Sequence, residues 1–329
     1  MIAWITRLLL VLQFGLVSLL FYAGSHVWPD LHPLLMVAAS VGIIFFIRII
    51  ITANSFILAS RFQSTTPLDR QLTKYQAYLL FSEEFSATVT SSSWTMPFFC
   101  FHKRPAHPAV GLPVLLVHGY GCNSGYWHAM SRALTAAQVT HHAVDLEPVF
   151  SDIKNYVPRL HEAINILCED SGHDRVIMVA HSMGGLVARA YLHACGTDRV
   201  AKVITLGTPH RGTGLANFGV GLNSQQMRWT GSATEGKSSS WLHTLQQAEG
   251  EEFYKLFVSI YSHHDNIVSP QTSSYLPGAV NIEVHGIGHV ALALNATIQQ
   301  LVVAEIRKAS KLSIDHNTDI NSIQLNTIH

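Results

Sequence analysis

From Gly111 onward the chain alternates short apolar, β-branched runs with stretches of helical period, and that alternation leaves few architectures open. The spacing predicts strands near 114–118, 142–146, 176–181, 200–206, 256–262 and 280–285, and helices near 125–137, 153–169, 183–195 and 290–308. Strands apolar on both faces and joined by helices form a mostly parallel sheet covered on both sides, an α/β fold. With 329 residues there is room for one such domain of full size, and no internal repeat divides it.

The segment before this domain is of another kind. No Asp, Glu, Lys or Arg occurs from Leu8 to Pro29, and a second apolar run from Leu31 to Ile51 carries only Arg48. Each run approaches the roughly 20 residues that cross a bilayer as a helix, so residues 1–59 are predicted to form a transmembrane helical hairpin turning at Trp28-Pro29-Asp30. A cleaved signal peptide is the competing reading, because Ala23-Gly24-Ser25 fits a small-x-small site, but it leaves the second run unexplained. Arg48, near the end of its run, is predicted to snorkel to the headgroups. Arg7 precedes the first run, residues 24–33 carry no Lys or Arg, and Arg48, Arg61, Arg70 and Lys74 cluster at or beyond the end of the second. By the positive-inside rule both ends of the hairpin, and the domain that follows, face the cytoplasm.

Residues 60–110 read as a membrane-proximal linker and first strands. Leu68, Leu72, Tyr75 and Leu79 have the spacing of an amphipathic helix, residues 94–102 read as an aromatic strand, and 103–108 as a polar, proline-containing turn. Residues 111–310 form the α/β domain, and 311–329, polar and Asn-rich, a flexible tail.

Charge and cysteine usage narrow the function. Lys plus Arg and Asp plus Glu are 21 each, without a basic block, so no nucleic acid partner is expected. Cys100, Cys122, Cys168 and Cys195 lie too far apart for a metal knuckle and read as free thiols. The paired histidines, His141-His142 and His263-His264, are adjacent and point to opposite faces of a strand, so no metal or other cofactor is expected.

The strongest chemical signal is Val176-Ile177-Met178-Val179-Ala180-His181-Ser182-Met183-Gly184-Gly185, an apolar strand running through a small-x-Ser-x-Gly turn into a helix. Such a turn exposes a nucleophilic serine, Ser182, at the strand's end, with small residues two before and two after it so that strand and helix can approach. The first small residue is Ala180, not glycine. Upstream, Val114-Leu115-Leu116-Val117-His118-Gly119-Tyr120-Gly121 ends a strand in a glycine-containing loop, where the backbone N–H of Tyr120 is the candidate for one oxyanion donor. The N–H of Met183, at a helix N-terminus, is the other. An acid and a histidine should follow at the ends of later strands: Asp265, in preference to Asp145, and His289, in preference to His285. His118, His181 and His210 are read as packing or wall residues.

On these motifs residues 111–308 resemble the α/β-hydrolase family, specifically bacterial lipases and esterases with the Ala-His-Ser-Met-Gly elbow. Leu206-Gly207-Thr208-Pro209-His210-Arg211-Gly212 is similar to the Gly-Thr-Pro-His-x-Gly element that follows the next strand in those lipases. The resemblance implies a triad of Ser182, Asp265 and His289, ester hydrolysis, and a bacterial inner-membrane setting. A serine nucleophile argues against the dehalogenase and epoxide-hydrolase branches, which use aspartate.

The insertion at about 211–253, with Leu215, Phe218, Leu222, Met227, Trp229, Trp241 and Leu242 among Ser and Gly, reads as a small cap suited to a hydrophobic acyl chain, or as ordinary surface helices. The expected activity is that of a membrane-anchored lipase or carboxylesterase acting on a hydrophobic ester or lipid. A thioesterase, amidase or acyltransferase could use the same triad, and a non-catalytic membrane scaffold is the reading from another class. Oligomeric state is not legible.

Overall fold

The computed structural model describes the backbone of residues 1–326 and the side chains of residues 1–312. Seven strands form the main sheet: β1 (Lys103–Arg104), β2 (Val114–Val117), β3 (His141–Val144), β4 (Val176–His181), β5 (Val200–Leu206), β6 (Phe257–Ser262) and β7 (Val280–Val284). Their order is β1-β3-β2-β4-β5-β6-β7, with β1 antiparallel to β3 and every other pair parallel. The order reverses between β2 and β4, so the chain leaves these two strands toward opposite sides and opens a crevice at their carboxyl ends.

Alternation along the strands assigns each side chain to one of two cores. Val114, Leu116, Ile177 and Val179 pack with Met130 and Leu134 of α4 (His128–Ala136) and with Ile298, Val302 and Ile306 of α8 (Ala296–Asn326). Leu115, Val117, Met178 and Ala180 face the other way, onto Leu160, Ile164 and Leu167 of α5 (Val157–Ser171) and Leu186 and Val187 of α6 (Met183–Cys195). Both faces of the sheet are thereby covered, as continuous apolar strands require.

The N-terminal runs form α1 (Ile2–Val27) and α2 (Pro33–Ser60), each long and apolar enough to cross a bilayer. Apolar side chains on both point outward; Phe14 is 71% and Leu34 72% exposed. Both ends of the pair abut the α/β body: the Met1 ammonium pairs with Glu147, Arg7 Nε donates to the Pro97 carbonyl at 2.9 Å, and Ser55 Oγ and the Ala59 carbonyl accept from Asn266 and Ser269.

Several expectations change. Arg48 does not reach outward but donates to Gln13 Oε1 at 2.9 Å and Ser92 Oγ at 3.1 Å, so polar side chains on neighbouring segments satisfy its guanidinium within the protein. Residues 94–102 are not a strand. Helix α3 (Lys74–Thr90), started by a capping box of Thr73 and Gln76, continues through a π-helical turn at Ser91–Thr95 into Met96–Phe98. The carbonyls of Met96 and Pro97 are taken by Asn123 and Arg7, so the aromatics never meet the pleated surface that makes them strand formers. The supposed apolar stripe is also displaced: Leu68, Tyr75 and Leu79 are exposed, whereas α3 buries Leu80, Glu84 and Ala87. Finally, α8 continues to Asn326 where a loose tail was expected. No Gly or Pro occurs from Ala296 onward, and extending a nucleated helix is easier than starting one. The last part of the expected tail, 327–329, lies outside the described residues.

Candidate active site

Ser182 joins β4 directly to α6 with φ 55° and ψ −126°, a conformation that costs a non-glycine residue on the order of 1–3 kcal/mol and persists only where its surroundings enforce it. Three contacts enforce it. The Ser182 N–H donates to the Leu206 carbonyl at 2.9 Å, and the Ser182 carbonyl accepts from the Gly185 N–H at 3.1 Å and the Thr208 hydroxyl at 2.9 Å. The Gly-Thr-Pro-His loop after β5 is thus a clamp on the serine turn, a role the motif alone did not disclose. A Cβ on Gly119 would lie 2.8 Å from Ser182 Cβ, so the loop after β2 can approach the serine only as glycine.

His289 and Asp265 follow β7 and β6 and meet at these strand ends. His289 Nδ1 and Asp265 Oδ2 are 2.7 Å apart, and both residues are buried. The other carboxylate oxygen, Oδ1, accepts the N–H groups of Ile267 and Val268 at 2.8 and 2.7 Å, which fixes the acid's orientation. Burial by itself pulls the His289 imidazole toward the neutral form; the Asp265 carboxylate, by attraction and by its hydrogen bond, and Glu84 more weakly, carry its pKa above the ordinary histidine value. Gly207, between the clamp and this pair, has φ 53°, and a Cβ on it would stand 3.0 Å from Asp265 Oδ2 and 3.2 Å from His289 Nδ1. That glycine lets the serine clamp and the acid–histidine pair share one strand end. The Ser182 hydroxyl itself makes no hydrogen bond among the described residues.

The competitors are occupied elsewhere. Asp145 accepts from the Ser124 N–H at 2.6 Å and lies 3.7 Å from His118 Nε2, while His285 stands 3.2 Å from Arg70. His118 accepts the Leu146 N–H, and His210 is buried against Phe257 and Thr205. His181 is more than filler: its Nε2 lies 3.1 Å from the His289 carbonyl and its ring centroid 4.5 Å from that of His289. Burial holds His181 well below the ordinary histidine pKa, so it is neutral and donates to that carbonyl. The N–H groups of Tyr120 and Met183 are committed to no acceptor among the described residues.

Sequence reading missed Asn266 and Glu84. Asn266 Oδ1 accepts the His289 N–H at 3.0 Å while its amide donates to Ser55 of α2 at 2.8 Å, linking the histidine loop to the N-terminal helices. Its position directly after Asp265 was the available signal. Glu84 offered none, being one of two glutamates in a stretch read for its apolar spacing.

The site is covered. Ser182, Asp265 and His289 are 8%, 3% and 4% exposed, and a cavity of ≈ 490 Å³ lies away from them, by β1, lined by Lys103, His107, His142 and Asp170 among others. Over the serine side sits the insertion, with a 3-10 turn at Gly214–Phe218, a short hairpin pairing Trp229–Thr230 with Lys237–Ser238, and α7 (Ser240–Gln247). Its base is tied to α6 by a buried Arg189–Glu249 ion pair, and its tip to the loop after β2 by Tyr120 Oη, which donates to the Val220 carbonyl at 2.8 Å and accepts its N–H at 3.1 Å. Met227, Trp229 and Leu242 are core residues of this unit; Phe218, Val220 and Leu222 are exposed.

Comparison with known proteins agrees with this geometry. The sequence model of the palmitoyl protein thioesterase family matches residues 113–255. Triacylglycerol lipases of Pseudarthrobacter phenanthrenivorans and Burkholderia plantarii are each 30% identical over 120 residues, 34% of this chain and 37% and 33% of theirs. The match thus spans about a third of the length of those relatives. Among solved structures, a Bacillus licheniformis lipase in its mature form superposes with a TM-score of 0.53 at 19% identity, covering 63% of this chain and 97% of that one; its propeptide form gives 0.51. A parallel sheet with a strained serine turn at its central strand, together with these likenesses, gives the chain the α/β-hydrolase fold and makes it similar to lipases and esterases.

Proposed function

We propose that the protein is a membrane-anchored serine hydrolase that cleaves carboxylic esters of hydrophobic acyl chains through an acyl-enzyme. The observation that carries this reading is the convergence of the strained Ser182 turn with the buried His289–Asp265 pair at adjoining strand ends. His289 takes the proton of Ser182 as its oxygen attacks the ester carbonyl, and Asp265 holds and stabilises the imidazolium. The Tyr120 and Met183 amides, free of other acceptors, bind the oxyanion; the alcohol leaves with the proton from His289, and water then cleaves the acyl-enzyme. The hydroxyl–imidazole hydrogen bond forms when substrate binds, as is common for such pairs.

The apolar rim of Phe218, Val220 and Leu222, with the Phe150 ring tilted against Tyr120 at a centroid distance of 5.8 Å, supports a hydrophobic acyl group. The palmitoyl protein thioesterase match favours a second reading, a thioesterase on the same residues. Matched oxygen esters and thioesters of acetyl, butanoyl and octanoyl groups, assayed in detergent, separate the two. Each buried methylene contributes about 0.8 kcal/mol, so kcat/KM is expected to rise tenfold or more from acetyl to octanoyl. A steady fall along the series contradicts the acyl assignment, and a strong preference for the thioesters favours the second reading.

For the anchor, residues 1–59, the support is the outward apolar faces of α1 and α2 and the seating of both their ends on the α/β body. With the charge pattern this gives a cytoplasmic hydrolase domain on a bacterial inner membrane. Reporter fusions after His329 test it: a fluorescent protein is expected to fluoresce there, and alkaline phosphatase activity without fluorescence overturns the orientation.

A further inference from the structure

The loop bearing His289 is gripped from outside the sheet by a single buried carboxylate. Glu84 of α3 is fully buried, and its Oε1 and Oε2 accept the N–H groups of Val290 and Ala291 at 3.1 and 3.0 Å. These amides directly follow His289 and open a 3-10 turn at Ala291–Ala293, where N–H groups lack a partner within the helix. On the other side of His289, Gly288 packs so closely that a Cβ would run into the same carboxylate. Residues flanking the histidine on both sides therefore rest on Glu84.

We propose that Glu84 is a positioning residue for the reaction assigned above: its carboxylate fixes the His289 loop through the two amides and favours the imidazolium that forms as Ser182 attacks. The proposal rests on the assignment of Ser182, His289 and Asp265. Desolvating a carboxylate is costly, and a neutral side chain of similar volume could fill the space, so a charge here needs a use beyond packing. Burial pushes the Glu84 carboxyl up from its ordinary pKa, and the two amides oppose that. The other titratable groups about His289 are Asp265, bonded to it, neutral His181 against its ring, and Tyr126, whose hydroxyl donates to the Val290 carbonyl at 3.0 Å and whose half-buried neighbour Cys122 is held as a thiol by desolvation. Among these, Asp265 and Glu84 act to favour charged His289.

The test is the pH dependence of p-nitrophenyl octanoate hydrolysis by the full chain in detergent, from about pH 5 to 9, for Glu84→Gln, Glu84→Asp and Glu83→Gln. Glu84→Gln is expected to lower kcat about 10- to 100-fold with little change in KM. Its acid limb should move to lower pH, because removing a negative charge lowers the pKa of a nearby imidazole. Glu84→Asp keeps the charge and should hold the acid limb in place, and it serves where Glu84→Gln does not fold. Glu83→Gln, an equal loss of charge one residue away, should leave the limb unmoved. An unchanged kcat in Glu84→Gln, or a loss of kcat and melting temperature with the acid limb unmoved, overturns the proposal; so does an acid limb shifted as far in Glu84→Asp or Glu83→Gln. A wild-type chain that is inactive and not labelled at Ser182 by a fluorophosphonate overturns the underlying assignment instead, which keeps the two failures apart.

Discussion

Alanine in place of Ser182 is expected to lower turnover about 10⁴- to 10⁶-fold, and alanine in place of His289 to do nearly as much, because nucleophile and base act as a unit and losing either stops the shared step. The fold should survive the first change. The Ser182 hydroxyl holds no hydrogen bond among the described residues, and the contacts that bend the turn run through its backbone to Leu206, Gly185 and Thr208. Alanine at a positive φ keeps the same Cβ, so the strain is unchanged and the melting temperature should move little. Steady-state assays and melting of Ser182→Ala in the same detergent check both halves. A variant that keeps a tenth of wild-type activity requires a different nucleophile.

The second large effect belongs to Asp265→Asn, expected to cost on the order of 10⁴ in turnover. Asp265 Oδ2 lies 2.7 Å from His289 Nδ1, and this acceptor fixes the tautomer that leaves Nε2 free to take a proton. An amide placed there can turn its NH2 toward the ring and hold the opposite tautomer. The acceptor atom Oδ1, which receives Ile267 and Val268, would still be served by the asparagine oxygen, so the turn after β6 is kept. Asp145→Asn is the comparison, since Asp145 also follows a strand but binds Ser124 and His118. The acid assignment fails if Asp145→Asn proves the more damaging change.

The sheet was legible because its inner strands are buried on both faces and short: Val176–His181 and Val200–Leu206 are apolar or small at most positions and end where the polar turns begin. Ser182, Asp265 and His289 could be singled out for a related reason. In a parallel sheet the loops at the carboxyl ends share one edge, so residues after β4, β6 and β7 come together although far apart in sequence. What escaped notice was what arrives from elsewhere. Glu84 reaches the histidine loop from a helix that precedes the sheet, and Ser55 reaches Asn266 from α2. Neither has a pattern of its own, because a contact across more than 200 residues leaves no periodicity in either partner. The aromatic segment at 94–102 failed differently: its composition favours a strand, but the helix before it propagates and neighbouring side chains satisfy its carbonyls.

Labelling of the full-length chain with a fluorophosphonate, in detergent that preserves the fold, tests the central claim most directly, because the probe reports an activated serine without presuming a substrate. The account predicts one adduct, mapped by peptide mass to Ser182, abolished in Ser182→Ala and strongly slowed in His289→Ala. A folded wild-type chain that takes no label, or a Ser182→Ala chain that takes as much as wild type, would contradict it.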